Sequence, residues 1–271
     1  MALLGSGHAS RKSKYFTNVK AGLQYLARHG GPTGSYRDKE GRMYSHGIVA
    51  IALCEAYALT REKTLREPAQ RAINYIAYAQ DPKGGGWRYK VHEAGDTSSS
   101  GWQLAAFQAA HAAGLSVPTA TASKFSRFLN TVQTGGGARY LYKSGGSNNN
   151  LGNIGFYCRI HLGWKKDHPS LIKGAKIITS KGPAKGPAKG SFYHNYYSTQ
   201  LLYHLGGDDW KKWNEKLRPL LVTQQATAGH AAGSWYSGGG ESIANHGGRL
   251  YCTVMAALTL QTPYRYERLY Q

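Results

Sequence analysis

Apolar residues in this chain gather in two kinds of segment. Gly47-Ile48-Val49-Ala50-Ile51-Ala52-Leu53-Cys54 and Cys252-Thr253-Val254-Met255-Ala256-Ala257-Leu258 are apolar nearly all round at helical spacing, and a helix apolar on every side is a buried one. Other segments carry Lys, Arg and Gln along one face only. The two kinds alternate, so the chain reads as five helix pairs. The first helices are predicted over 16–28, 67–80, 119–133, 168–180 and 210–225, and the second over 44–59, 97–113, 150–163, 192–205 and 246–260. Pro68, Pro118 and Pro169 stand in the first turn of a first helix or just before it, where a missing amide costs little. Gly114, Gly163, Gly206-Gly207 and Pro263 follow second helices as breakers. No alternating strand pattern of useful length occurs. The second helices should form an inner layer and the first an outer one, stacking into an open solenoid or a closed ring. A flexible basic lead-in is expected over 1–15, a repeat domain over 16–263 and a tail over 264–271.

The pairs are also joined alike. Ala72-Ile73-Asn74-Tyr75-Ile76-Ala77-Tyr78-Ala79-Gln80 leads through Asp81-Pro82-Lys83-Gly84-Gly85-Gly86 to Trp87. A second copy runs from Leu220 through Gln224-Gln225 to Gly233-Ser234-Trp235. Weaker copies join Gln24 to Gly34-Ser35-Tyr36, and Gln133 through Gly135-Gly136-Gly137 to Tyr140. A degenerate copy ends near Ser180, with a Lys-Gly-Pro-Ala linker over Lys181–Gly190 in place of its turn. Self-similarity of this length is the mark of a repeat architecture.

These Gln–Gly–Trp turns resemble the QW motif of squalene–hopene cyclases, through Gln80, Gly85 and Trp87 and, with an insertion, Gln225, Gly233 and Trp235. The stretch from Met43-Tyr44-Ser45-His46-Gly47 through Gly86-Trp87-Arg88-Tyr89 to Gly101-Trp102-Gln103 is more similar still to bacterial prenyltransferase/squalene-oxidase-repeat proteins. So are Leu162-Gly163-Trp164 and Tyr196-Tyr197-Ser198-Thr199-Gln200. The resemblance covers about residues 16–270 and implies an all-α fold, an α/α toroid of about five hairpins. The relatives usually carry a further repeat upstream. Its lack here would leave the ring gapped, tightened, or completed by another copy or another chain.

The chemistry of those enzymes does not carry over residue by residue. Class II terpene cyclases protonate an alkene with the middle Asp of Asp-x-Asp-Asp-Thr, and that acid must be held neutral in a desolvated pocket. The matching segment is Glu93-Ala94-Gly95-Asp96-Thr97, with Gly95 where the acid belongs. Asp96 reads instead as a helix N-cap. The prenyltransferase zinc site uses Asp-x-Cys, and here Ser98 takes the thiolate's place. Zinc needs three or four good ligands together, so no metal or cofactor is expected. Glu55, on an inner helix, is the best substitute acid for an enzyme acting on an isoprenoid lipid. No Gly-x-Gly-x-x-Gly follows a strand, and no Gly-x-Ser-x-Gly or His-Glu-x-x-His is present.

Composition adds a direction. The 271 residues carry 34 Lys+Arg against 14 Asp+Glu, a formal net charge of +20, and such a field draws acidic partners. The basic residues cluster at Arg11–Lys14, Lys165–Lys166, Lys181–Lys189 and Lys211–Lys216. Three separated cysteines give no disulfide framework and suit a reducing compartment. No apolar run is long enough for a membrane span or a signal peptide. In a ring of parallel inner helices, the helix N-termini gather at one mouth. Near those starts lie His46, Asp96, Ser98, Asn153 and His194, with Tyr196, His246 and Arg249; Trp102 and Tyr157 lie about one turn in. They predict a polar, aromatic funnel for an anionic or amphipathic small molecule on a non-catalytic binding or scaffold protein. An acidic protein or a nucleic acid are further partners that the charge would suit.

Overall fold

The computed structural model describes residues 1–37, 42–146, 151–185, 191–236 and 244–266, with the backbone alone at 191 and 244–246. The protein is all-α. Its helices are α1 (Ala2–Gly5), α2 (Phe16–Arg28), α3 (Met43–Thr60), α4 (Lys63–Ala79), α5 (Thr97–Ala112), α6 (Thr119–Val132), α7 (Gly152–His161), α8 (Pro169–Lys181), α9 (Ser191–Leu205), α10 (Gly207–Gln224) and α11 (Ala244–Arg265). The one sheet among the described residues is an antiparallel pair of two-residue strands, β1 (Gln133–Thr134) and β2 (Arg139–Tyr140). Two compact units divide the chain, the first over Leu3–Trp164 and the second from Lys165 onward.

In the first unit α5 packs between α3 and α7, while α2 and α4 lie against each other and on that row. Burial follows the pattern. α4 hides a stripe of Leu65, Ala69, Ala72, Ile73 and Ile76, whereas α3 buries Ala50-Ile51-Ala52-Leu53-Cys54 as a continuous run. The narrow stripe belongs to an outer helix and the run to an inner one. In the second unit α9 packs on α11, and α10 on α9 and α8. α9 is buried almost throughout although half of it is polar. Its polar groups are paired: Thr199 accepts from Trp213 Nε1 at 2.9 Å, and Gln200 donates to Thr262 at 3.2 Å.

Some boundaries differ from those the sequence predicts. α4 starts at Lys63, which places Pro68 inside the helix rather than at its head; Leu65, 1% exposed, draws the extra turn onto the core. α11 continues through Pro263 to Arg265 and bends at Gly248, whose φ of 56° breaks the helix. The lead-in is partly ordered, since α1 forms and Leu4 is buried.

Arg159 of α7 is the most unusual core residue, at 2% exposure. Its Nε donates to Tyr140 Oη at 3.0 Å. Nη1 donates to the carbonyl and hydroxyl of Ser126, and Nη2 to Asn130 and Gln133. All five guanidinium N–H groups are thereby satisfied without a carboxylate. The charge ties α7 to α6 and β2 and lies 4.8 Å from the Trp164 ring centroid.

Candidate functional site

The joints between outer and inner helices share one construction. Gln80, Gln133 and Gln225, each just past the end of an outer helix, donate through Nε2 to the carbonyls of Gly85, Gly137 and Gly233 at 2.8, 3.0 and 2.8 Å. In the last copy Gln225, not Gln224, makes the bond. Gly34, Gly85 and Gly233 hold φ values of 82°, 85° and 82°, the left-handed region that favours glycine. A side chain on Gly85 would overlap the Lys124 carbonyl of the next outer helix. Gln80 also donates to Thr121 of that helix at 3.0 Å. Trp87 Nε1 donates back to Ile76 at 2.8 Å, and Trp235 Nε1 to Leu221 at 2.7 Å.

A second bond, which the sequence did not suggest, pins the residue after four of the turns to the start of the inner helix that follows. The backbone N–H of Tyr36 donates to His46 Nδ1 at 3.0 Å, Trp87 to Ser100 Oγ at 2.9 Å, Ala184 to Asn195 Oδ1 at 2.9 Å and Trp235 to Thr253 Oγ1 at 3.1 Å. Ala184, in the Lys-Gly-Pro-Ala linker, thus takes the aromatic's place in the degenerate copy. In the remaining copy the same position is Gly155, whose missing side chain leaves room for the Tyr140 ring.

A polar cluster of the first unit is formed by the starts of α3 and α5. Asp96, fully buried, caps α5: its Oδ1 accepts from Ser99 N at 2.7 Å and from Ser98 Oγ at 2.8 Å. Tyr44 and Ser98 share a hydroxyl contact of 2.6 Å. Tyr142 donates to Asp96 Oδ2 at 3.2 Å and meets Tyr89 Oη at 2.9 Å. Arg88 pairs with Glu93 at 2.8 Å, lies 3.9 Å from Asp96, and covers the rings of Tyr89 and Tyr142. Burial raises the Asp96 carboxyl above its ordinary range; the Ser99 amide, Ser98, Tyr142 and Arg88 pull it back. Burial, then the Tyr89 phenol and the Asp96 carboxylate, raise Tyr142 strongly.

The helix-start amides here already have acceptors. Met43 N donates to Tyr89 O at 2.9 Å and Thr97 N to Tyr142 O at 2.8 Å, so α3 and α5 are each capped by the tyrosine two residues past the next copy's aromatic. Gly95 lies against Gly86, where a side chain would meet the Gly86 backbone and the Trp87 nitrogen. A carboxyl at that position has no room. We expect Asp96→Ala to destabilise the first unit by about 2 kcal/mol, from the cap and the lost acceptor, and Asp96→Asn by less. Urea denaturation measures both, and an unchanged midpoint for Asp96→Ala would remove Asp96 from the supporting structure.

Asp96 and Ser98 are thus brought together, and Tyr89, Tyr142 and Arg88 join them. His46 is fully buried with both nitrogens committed: Nδ1 accepts from Tyr36 N and Nε2 donates to the Ala72 carbonyl at 2.9 Å. Trp102, Asn153 and Tyr157 are buried core residues; Asn153 accepts from Ile154 N, and Tyr157 lies edge-on to His161. In the second unit Tyr196 is buried beside Tyr197, His194 reaches Ser198 at 3.4 Å, and Arg249 is exposed over the Tyr236 ring, bonded to Ser234. The side chain of His246 lies outside the described residues. Among the described residues no three His, Cys, Asp or Glu side chains are grouped to hold a metal ion, and no helix is long and apolar enough to cross a membrane.

Fold and site together define an all-α protein of helical hairpins, each locked by a Gln–Gly turn or its substitute. Set against known proteins, the chain matches no protein-family model, no curated protein and no solved structure.

Proposed function

We propose that the protein is a binding or scaffold module without catalytic chemistry of its own, an α/α-toroid repeat of the kind its resemblance implies, and that its partner is an anion. One observation carries this reading: over a long stretch of the chain most basic side chains are exposed and few acidic residues stand among them. Between Asp96 and Asp208 the sole acidic residue is Asp167. Over that stretch Arg127, Arg139, Lys143, Lys165, Lys166, Lys173, Lys176, Lys181 and Lys185 are all exposed. Charges left unneutralised sum into a field that concentrates and steers anions. Heparin-agarose chromatography tests this. The protein is expected to bind at about 50 mM salt and to elute as salt rises, because each neutralised charge releases a counterion. Flow-through at low salt would end the reading.

A second reading places an amphipathic anion at the polar cluster of the first unit. It is favoured by the part-exposed phenols of Tyr44, Tyr89 and Tyr142, with the exposed Arg42 guanidinium 5.8 Å from the Tyr89 ring centroid. Farnesyl diphosphate serves as the probe in calorimetric titration. Binding that weakens about tenfold in Tyr142→Ala, roughly 1.4 kcal/mol, supports this reading, and absence of heat with the wild type refutes it.

A further inference from the structure

The anion reading says nothing about which surface is used or what kind of anion fits it, and α8 with its flanks answers both. Lys165 and Lys166 precede the helix, Lys173 and Lys176 lie one turn apart on it, and Lys181 and Lys185 close and follow it. All six are exposed, and Asp167 is the one acid among them. No ion pair is formed by any of the six among the described residues. The neighbouring outer helix α10 is more balanced: Asp208, Asp209 and Glu215 stand among its Lys211, Lys212, Lys216 and Arg218, with Lys211 3.7 Å from Asp208.

We infer that this face, resting on the anion reading above, docks the phosphate backbone of duplex nucleic acid without reading its sequence. Three features select that occupant. The charges are lysines, compact point charges, and the face has no arginine fork to read base edges. It has no exposed aromatic on which unpaired bases could stack; its exposed apolar side chain is Ile172. The apolar face of α8 (Leu171, Ala175, Ile178) is buried in the protein, so a single side chain, Ile172, is left to enter a lipid interface, too little for an amphipathic anchor. The dimensions agree. Thirteen residues span about 20 Å, the axial reach of about six phosphates of one strand.

The test uses the full chain and a labelled duplex of about 20 base pairs, with fluorescence anisotropy read between about 50 and 200 mM salt. The wild type should bind two duplexes of unrelated sequence equally, with log K falling against log salt at a slope of about −5 for six neutralised phosphates. The variant K165Q/K166Q/K173Q/K176Q/K181Q/K185Q should lose nearly all of that slope and at least about a hundredfold in affinity at the lowest salt. A control, R11Q/K12Q/K14Q/K20Q/K63Q/K83Q, removes as much charge from exposed positions of the first unit and should keep most of the slope. Circular dichroism melts of both variants confirm that they fold. Equal losses in the two variants overturn the α8 surface while leaving the anion reading intact. Tighter binding to the single strand, or binding to phosphatidylserine vesicles and not to duplex, overturns the choice of partner. Retention on heparin without duplex binding does the same, and failure on heparin as well takes the anion reading with it.

Discussion

Trp87→Ala is expected to destabilise the first unit by about 4 kcal/mol, lowering its melting temperature by roughly 12 °C for a unit of this size. Trp87 is 1% exposed and packs edge-on against Phe107 and Phe125, with ring centroids 5.9 and 5.4 Å away. Removing the ring opens a cavity between α5 and α6, and the Ile76 carbonyl loses its donor. Trp87→Phe fills most of that space and should cost closer to 1 kcal/mol, the value of one hydrogen bond. Gly85→Ala should approach the alanine variant of Trp87 without touching the core, because the added carbon is driven into the Lys124 carbonyl and the backbone is held at φ 85°. Thermal melts followed by tryptophan fluorescence and circular dichroism measure all three. A Trp87→Ala protein that melts within about 3 °C of the wild type, under 1 kcal/mol, would show that the turn does not hold the hairpins together.

Acid should destabilise the protein through its buried histidines. Burial lowers His46 and His204 to about 4 each, and burial with Lys181 nearby lowers His194. At His46 the geometry gives a second reason, since a proton on Nδ1 would face the Tyr36 N–H that this nitrogen accepts. These imidazoles stay neutral in the folded chain, whereas the unfolded chain binds protons from about 6.5 downward. Their contribution is therefore whole above about pH 6.5 and is lost as pH falls toward 4, up to about 3 kcal/mol for each fully buried ring. Asp96 acts with the opposite sign. Its raised carboxyl takes up a proton more readily when folded, so acid relieves it, but four polar partners limit that shift. The histidines outweigh it. Melting temperature measured from about pH 7.5 to 4.5 should fall steeply, and His46→Gln should flatten the fall by about one proton's share. A flat profile, or a His46→Gln profile parallel to the wild type, would sink this account.

How far the sequence could be read depended on the kind of signal. The helix pairs were legible because burial repeats with the helical period: α2 occupies the predicted 16–28, and α6 misses by one residue. The head of α4 was not, because Pro68 mimics a start signal while Leu65, isolated among polar residues, gives no periodic cue. In the polar cluster, Asp96 carries its cap role in its residue type and position. His46 does not: a polar residue near the start of a buried helix looks the same whether it meets a ligand or a backbone, and its partners Tyr36 and Ala72 are on other segments. Tyr89 and Tyr142 could have been found, since each stands two residues after the aromatic of its copy. The pins could not, because imidazole, hydroxyl, glycine and carboxamide share no residue pattern.

That variety has its own effect on assembly. Tandem copies of one motif risk pairing out of order as they fold, each hairpin accepting a neighbour's turn in place of its own. Here His46 answers the turn before α3, Ser100 the tryptophan before α5, and Asn195 both backbone groups of Ala184. A hairpin that closed on the wrong turn would leave an imidazole or a carboxamide buried against a misplaced backbone. The imidazole and carboxamide copies therefore carry their own address, and part of the order of the hairpins in space is written into side chains that differ between copies, while Ser100 and Thr253 offer the same hydroxyl.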